Sequence, residues 1–118
     1  MEILKTFTFD AAHRLTGVPE QHKCGRLHGH TFYLEVHLRG SVDPATGFVV
    51  DFGDISKAVA PILDQIDHSY LNDIDGLENP TSENIARWIW PRLIPSLPGL
   101  CRIVIKETPT AGCCYEGE

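Results

Sequence analysis

The segment "HGHTFYLEVHL", residues 28–38, decides the fold because its polar and apolar side chains alternate. Successive side chains of a strand point to opposite faces, so this alternation predicts a half-buried β-strand. The inner face carries every second side chain, namely His28, His30, Phe32, Leu34, Val36 and Leu38. The outer face carries Tyr33, Glu35 and His37. The strand therefore presents two histidines as a continuation of its apolar row.

Residues 3–13 alternate in the same way and predict the first strand of the chain. Its apolar face carries Ile3, Phe7, Phe9, Ala11 and His13. An antiparallel pairing of the two strands across the loop 15–27 would set His13 beside His28 and His30. The two strands therefore predict that three imidazoles meet at one end of the apolar face.

The middle of the chain predicts two helices. Apolar residues recur at helical spacing over residues 52–66, directly after Asp51 as the expected N-cap. The stretch "NPTSENIARWIW", residues 79–90, opens a second helix that either Thr81 or Ser82 caps. Each helix therefore has a start signal that is independent of its apolar pattern.

Two prolines and two late strands complete the secondary-structure prediction. Pro61 and Pro91 are each expected to kink or divide their helix, because proline lacks an N–H and its ring clashes with the preceding turn. Alternating stretches at residues 101–107 and 113–118 predict the last two strands. The order ββααββ predicts an α+β fold in a single domain of residues 1–118.

The composition excludes several classes of function. The 118-residue chain has a net charge of −6, so it has no global basic footprint for nucleic acid. No apolar run approaches the ~20 residues needed to span a membrane, and the N-terminal residues are too polar for a signal peptide. We therefore expect a cytoplasmic protein whose four cysteines are thiols.

The three converging histidines predict a metal site. His28 and His30 leave the same strand face about 7 Å apart, and His13 is expected beside them. Three neutral imidazoles with an open position are typical of catalytic zinc. The alternative is that each histidine makes a separate hydrogen bond, but the convergence of all three favours metal. His22 and His37 lie elsewhere and are interpreted as ordinary.

Cys24 and Glu107 have unusual surroundings for their residue types. Cys24 lies in a long loop beside Lys23 and near the expected metal, which would both favour a reactive thiolate. Its alternative role is that of a small buried residue. Glu107 continues an apolar strand row, and a buried carboxylate needs a partner. That partner can be the N–H edge of a heterocycle or a basic side chain. Asp67 and His68 form an Asp–His pair just past the first helix, which by itself is commonplace.

Taken together, the motifs resemble the 6-pyruvoyl-tetrahydropterin synthase family. They are His13, "CGRLHGH" at 24–30, "DHSYLND" at 67–73, "ENPTSE" at 78–83, and "KET" with "AGC" at 106–113. The short Cys-x-x-x-His-x-His spacing is most similar to the bacterial 6-carboxy-5,6,7,8-tetrahydropterin synthases of queuosine biosynthesis. Relatives in folate synthesis that carry glutamate in place of the cysteine are disfavoured by Cys24.

The resemblance implies the tunnelling fold, which has a four-stranded antiparallel sheet with two helices on one face. It also implies a homohexamer of two stacked trimers with active sites between subunits. The implied reaction converts 7,8-dihydroneopterin triphosphate and water to 6-carboxy-5,6,7,8-tetrahydropterin, acetaldehyde and triphosphate. Two alternatives stay open: elimination that stops at a 6-pyruvoyl product, and a zinc-stabilised pterin-binding module without turnover.

The resemblance also implies roles for individual residues. His13, His28 and His30 would bind zinc. Cys24 would act as the base, and His68, oriented by Asp67, as the proton relay of a neighbouring subunit. The remaining implied residues bind the pterin: Glu107 as the anchor, with Thr81 and Ser82 as secondary pocket residues. Charge alone suggests that Arg14, Lys23 and Arg26 contact the triphosphate.

Overall fold

The computed structural model describes residues 1–118. Two helices and five strands form an α+β fold, in agreement with the predicted class. In chain order, the elements are β1 (Glu2–His13), β2 (His28–Arg39), α1 (Phe52–Ile66), β3 (Ser69–Tyr70), α2 (Ser82–Leu93), β4 (Leu100–Thr108) and β5 (Ala111–Tyr115). The loop between β1 and β2 contains a short 3₁₀ turn at Lys23–Gly25.

The strands form one mixed sheet in the order β3-β1-β2-β4-β5. The pairs β1–β2, β2–β4 and β4–β5 are antiparallel, whereas β3 lies parallel to β1. The expectation of a four-stranded, fully antiparallel sheet in ββααββ order is therefore wrong in detail, because β3 adds a fifth strand between the helices. A strand of two residues is too short to produce an alternating pattern in the sequence.

Both helices pack on the sheet face that carries the apolar rows of β1 and β2. The rings of Phe9 and Phe32 stack there with their centroids 4.9 Å apart. The helices contribute the buried side chains Ile55, Val59, Ile62, Ile66, Ile85, Ala86, Trp88, Ile89 and Leu93. His13 is also fully buried, so the apolar core ends directly at the histidines. Neither helix combines the length and the apolar surface that crossing a bilayer requires.

The helix starts agree with the predicted caps. Asp51 accepts a hydrogen bond from the Gly53 N–H at 2.8 Å, and Thr81 accepts one from the Asn84 N–H at 3.1 Å. Each side-chain oxygen satisfies a backbone donor that the first helical turn leaves free. Thr81 rather than Ser82 is the cap of α2.

The prolines do not divide the helices as the sequence suggested. Pro61 lies inside α1 and Pro91 inside α2, and both helices continue past them. Both prolines are exposed, as are Lys57 and Arg87, the residues four positions earlier whose carbonyls lose a partner. Because these carbonyls lie on the solvent side, water can bind them and the helix tolerates the missing N–H.

The other face of the sheet is polar and contains His37, far along β2 from the other histidines of this strand. His37 is only 4% exposed, and its Nε2 lies 2.9 Å from Glu35 Oε1. Arg102 donates to Glu2 at 3.0 Å beside it. His37 therefore has a hydrogen-bond partner on this face, in line with its interpretation as an ordinary residue.

Candidate active site

The structure brings His13, His28 and His30 together. His13 and His28 are direct register partners between β1 and β2. The ring centroids are 4.5 Å apart for His13 and His28, 5.2 Å for His13 and His30, and 4.9 Å for His28 and His30. One nitrogen of each ring lies within 4.8 Å of the corresponding nitrogens of the other two. The three imidazoles therefore surround one point, as the sequence predicted.

Hydrogen bonds to the backbone orient two of the rings. His13 Nδ1 lies 2.8 Å from the Pro80 carbonyl, and His28 Nδ1 lies 2.7 Å from the Arg26 carbonyl. A carbonyl only accepts, so each Nδ1 carries the proton and each Nε2 keeps its lone pair. A carbonyl behind the ring is the usual support of a metal-binding histidine.

The buried nitrogens fit a metal ion. Nε2 of His13 and Nε2 of His30 are buried and make no hydrogen bond within the protein. Burial lowers the pKa of His13, which the Pro80 carbonyl partly opposes, and burial also lowers the pKa of His30 against the pull of Glu107. Both imidazoles are therefore neutral at neutral pH, which is the form that binds metal. Buried polar nitrogens without partners are costly, and a bound cation would supply the missing partner.

Glu107 lies beside this site on β4. Its Oε2 is 3.3 Å from His30 Nε2, although the geometry is too poor for a hydrogen bond, and its Oε1 accepts from the buried Ser82 hydroxyl at 3.2 Å. No lysine or arginine lies within ion-pair distance of it, and Lys106 lies 3.9 Å from Glu35 on the other face. The carboxylate thus lacks the lysine or arginine partner that the sequence left open.

Cys24 borders the same cleft as the histidines. The cleft has a volume of about 430 Å³ and is lined by Lys23, Cys24, His28, Gly29, His30, Glu107 and Thr108. The His22 imidazole accepts a hydrogen bond from the Cys24 N–H at 3.0 Å and holds the 3₁₀ turn. The Cys24 sulfur is not among the clustered ligand atoms. Cys24 is therefore better placed to contact a molecule bound in the cleft than to bind the metal.

His68 lines a different cleft, and Asp67 lies directly beside it. This second cleft, of about 530 Å³, is lined by Asp10, Ala11, Ala12, Gly29, His30, Thr31, His68 and Ser69. His68 Nδ1 is 3.0 Å from Asp67 Oδ1, and the His68 side chain is 78% exposed. The two clefts share only Gly29 and His30. Within one chain, the structure therefore does not bring His68 to Cys24.

Two features around His68 were not predicted from the sequence. Asp10 was placed only on the outer face of β1, yet it contacts both Asp67 and His68. His68 itself has φ of +58°, the only positive value outside glycine. The strand register was the available signal for Asp10. The pairing that sets His13 opposite His28 also sets Asp10 opposite Thr31, the residue that follows His30. No sequence signal reveals the backbone conformation of His68.

This left-handed conformation makes a testable prediction about stability. A side chain with a Cβ costs about 1–2 kcal/mol in the left-handed region, and glycine avoids this cost. We expect His68→Gly to have a free energy of unfolding about 1 kcal/mol higher than His68→Ala, measured by urea denaturation. At the neighbouring Ser69, which lies in strand β3, alanine should be the more stable of the two replacements. The same order at both positions would contradict the prediction.

Comparison with known proteins finds relatives along nearly the whole chain. The family model described as 6-pyruvoyl tetrahydropterin synthase matches residues 2–118. A 6-carboxy-5,6,7,8-tetrahydropterin synthase from Synechocystis is 40% identical over 96% of this chain and 91% of its own. A dihydroneopterin monophosphate aldolase from Pyrococcus furiosus is 41% identical over 82% of this chain and 78% of its own.

The fold gives the same result. The structure of 6-pyruvoyl tetrahydropterin synthase from Caenorhabditis elegans superposes with a TM-score of 0.91 and 30% identity, covering 100% of this chain and 96% of that one. The resemblance inferred from the motifs is thereby confirmed, and with it a lyase-type enzyme of pterin chemistry. A family model that matches nearly every residue, with relatives aligned along their own length, shows that this chain belongs to the 6-pyruvoyl tetrahydropterin synthase family.

Proposed function

We propose that the protein is a zinc-dependent 6-carboxy-5,6,7,8-tetrahydropterin synthase of the cytoplasm that acts in queuosine (7-deazaguanine) biosynthesis. Its reaction is the conversion of 7,8-dihydroneopterin triphosphate and water to 6-carboxy-5,6,7,8-tetrahydropterin, acetaldehyde and triphosphate. The observation that carries the proposal is the shared cleft, in which a cysteine and a carboxylate without a basic partner lie beside three converging imidazoles. The 40% identical Synechocystis relative has this activity by name.

His13, His28 and His30 would hold the zinc ion. The fourth coordination position would stay open for the substrate. Bound zinc would polarise the oxygens of the substrate side chain and acidify the adjacent C–H and O–H bonds. The protein prepares the ligands, since Pro80 and Arg26 fix two of the rings with Nε2 inward. Burial keeps His13 and His30 neutral, so no proton has to leave before the metal enters.

Two residues of the cleft supply the remaining chemistry of this subunit. Cys24 takes a proton from the substrate side chain as the general base, and Lys23 lines the same cleft. Glu107 accepts the ring N–H and the amino group of the pterin with its two oxygens. Ser82 holds one of these oxygens from behind, while the Thr81 hydroxyl is already used as the helix cap.

A second subunit supplies the proton relay in this proposal. His68 and Asp67 lie outside the cleft of their own chain, so a neighbouring copy has to bring them to Cys24. The edges of the sheet are β3 and β5, and the backbone groups along them are free to pair with other copies. A homohexamer of stacked trimers would close these edges and line its central tunnel with the polar face that carries His37.

The deciding experiment is incubation of the zinc-loaded protein with 7,8-dihydroneopterin triphosphate, followed by mass analysis of all products. We expect 6-carboxy-5,6,7,8-tetrahydropterin, acetaldehyde and triphosphate in equal amounts. Triphosphate with a 6-pyruvoyl product and no acetaldehyde would replace the proposal by the simpler elimination. Binding without any product would leave a zinc-stabilised pterin-binding module.

A second candidate function comes from the Pyrococcus relative, which is named for dihydroneopterin monophosphate. The same assay with dihydroneopterin monophosphate tests whether this chain prefers a single phosphate. Lys23 lies in the cleft and would meet the phosphate chain, so the triphosphate should have the higher kcat/KM. A higher kcat/KM for the monophosphate would favour the aldolase activity instead.

The role of Glu107 makes a prediction about affinity. Glu107→Gln keeps the shape but turns one acceptor oxygen into an NH₂ donor, which would face a donor of the pterin edge. We expect pterin affinity to fall by about 1.5–3 kcal/mol, or roughly 10- to 150-fold in Kd, measured by calorimetry. Zinc content should stay unchanged. Unaltered pterin binding would show that Glu107 is not the anchor.

The sharing of active sites makes a prediction about mixed oligomers. If Cys24 acts with His68 of the partner subunit, chains of Cys24→Ala and His68→Ala should complement each other. Mixing the two inactive variants by unfolding and refolding creates some interfaces without either defect, and activity should return in proportion to their number. Verified mixed oligomers without activity would place all catalytic groups within one chain.

A further inference from the structure

Asp10 lies where β1 meets the turn that carries Asp67 and His68, and it holds this turn from two sides. The Asp10 N–H donates to Asp67 Oδ1 at 2.9 Å, and the Asp10 carbonyl accepts from the His68 N–H at 2.6 Å. The Asp10 carboxylate also joins the Asp67 carboxylate and the His68 imidazole in a cluster within 4.8 Å. One residue of β1 thus contacts both members of the pair.

The conformation of His68 explains why such a hold is needed. A φ of +58° is unfavourable for a histidine and persists only where neighbouring contacts impose it. The hydrogen bond from the His68 N–H to Asp10 fixes the turn, and the parallel pairing of Ala11 with Ser69 continues directly after it. β1 therefore determines where the exposed imidazole lies.

The contacts of Asp67 bear on which ring nitrogen of His68 carries the proton. Asp67 Oδ1 accepts from the Asp10 N–H, which is the main reason that the pKa of Asp67 lies below its ordinary value. An ionised carboxylate only accepts, so the contact of His68 Nδ1 with Asp67 Oδ1 at 3.0 Å favours the tautomer with the proton on Nδ1. In that tautomer of the neutral ring, Nε2 has the free lone pair that a proton relay needs.

Thr31 fixes the Asp10 side chain from the neighbouring strand. The two residues are register partners between β1 and β2, and the Thr31 hydroxyl donates to Asp10 Oδ1. Any residue at this position could make the two main-chain hydrogen bonds, whereas the carboxylate beside Asp67 and His68 is specific to Asp10. We propose, on the basis of the proposed function, that the Asp10 carboxylate is a positioning group that orients the Asp67–His68 pair at the sheet edge, and that Thr31 holds this carboxylate in place. Neither side chain has to touch the substrate in this role.

The kinetic test compares Asp10→Asn with the zinc-loaded parent. An asparagine amide would offer N–H groups to the Asp67 carboxylate and compete with His68 for it. We expect kcat to fall about tenfold, a part of the roughly 10²- to 10⁴-fold effect of a proton-transfer group, with KM unchanged. Thr31→Val should lower kcat less, and Thr31→Ser should restore it.

A double variant separates positioning from a general loss of structure. In the His68→Ala background, Asp10→Asn should cause no further loss, because it acts through the missing imidazole. Asp64→Asn serves as the matched control, since it removes the same charge from an exposed position of α1 near the same turn. Equal losses with and without His68, or a parental kcat in both Asp10→Asn and Thr31→Val, would overturn the inference.

A readout without substrate separates this inference from the proposed function. Nitrogen NMR of the ¹⁵N-histidine-labelled protein in mildly alkaline solution should show the Nδ1–H tautomer of His68 in the parent and a mixture of tautomers in Asp10→Asn. An unchanged tautomer would overturn the positioning role whatever the substrate is. If the tautomer changes but the parent does not convert dihydroneopterin triphosphate, only the proposed function fails.

Discussion

In the proposed zinc enzyme, replacing His28 and His30 together with alanine should remove the metal and, with it, all measurable turnover. The two residues supply two of the three imidazoles that converge within 4.8 Å, and His13 alone offers only one ligand. A metal that polarises the substrate contributes several kcal/mol of charge stabilisation, so its loss corresponds to about 10³-fold or more in rate. Zinc is measured by plasma mass spectrometry after gel filtration, and turnover by acetaldehyde release.

The matched control for this variant is His68→Ala. It also removes a histidine, but the imidazole lies in the second cleft and does not belong to the three converging rings. Its zinc content should therefore equal that of the parent. A full equivalent of zinc in the double variant would place the metal elsewhere in the protein.

Replacing Cys24 with alanine should leave zinc bound and reduce turnover by about 10²-fold or more. A positioned general base contributes roughly 10²- to 10⁴-fold, and no other thiol lines the cleft. Because the sulfur lies outside the cluster of ligand atoms, the metal keeps its three imidazoles. Single-turnover kinetics should show the loss in the chemical step and leave pterin binding unchanged.

Cys114→Ala is the control for this second prediction, because Cys114 is an exposed free thiol on β5. The same thiol-to-methyl change there should leave both zinc content and turnover at parental values. Loss of zinc from Cys24→Ala would instead make the cysteine a metal ligand. Such a fourth protein ligand would favour the structural zinc of a binding module.

Patterns that act over a few residues were enough to predict most of the elements. The alternation in β1 and β2 and the cap at Asp51 are local properties of the chain, and the structure agrees with them. Pro61 shows the limit of such rules. Its effect on the helix depends on whether the Lys57 carbonyl, which loses its hydrogen-bond partner, faces solvent or the core. Strand β3 shows another limit, since its two residues are held by pairing with β1 and not by their own propensity.

The sequence by itself determined that His13, His28 and His30 meet. Side chains in a strand alternate with a period of two, so an antiparallel pairing of two such strands leaves little freedom for where the histidines lie. The apolar residues of β1 and β2 have to face the helices, and this requirement sets the register of the two strands. The same register places the three imidazoles side by side. Membership of the family was likewise readable from short motifs in a fixed order.

Only the tertiary structure decided how Asp67 and His68 are held and which residues accompany them. Asp10 and Asp67 are 57 positions apart, and their hydrogen bond exists because α1 returns the chain to the edge of β1. The positive φ of His68 likewise follows from contacts with β1 that no local pattern encodes. Long-range hydrogen bonds depend on the path of the whole chain, and a local propensity cannot predict a conformation that such bonds impose against it.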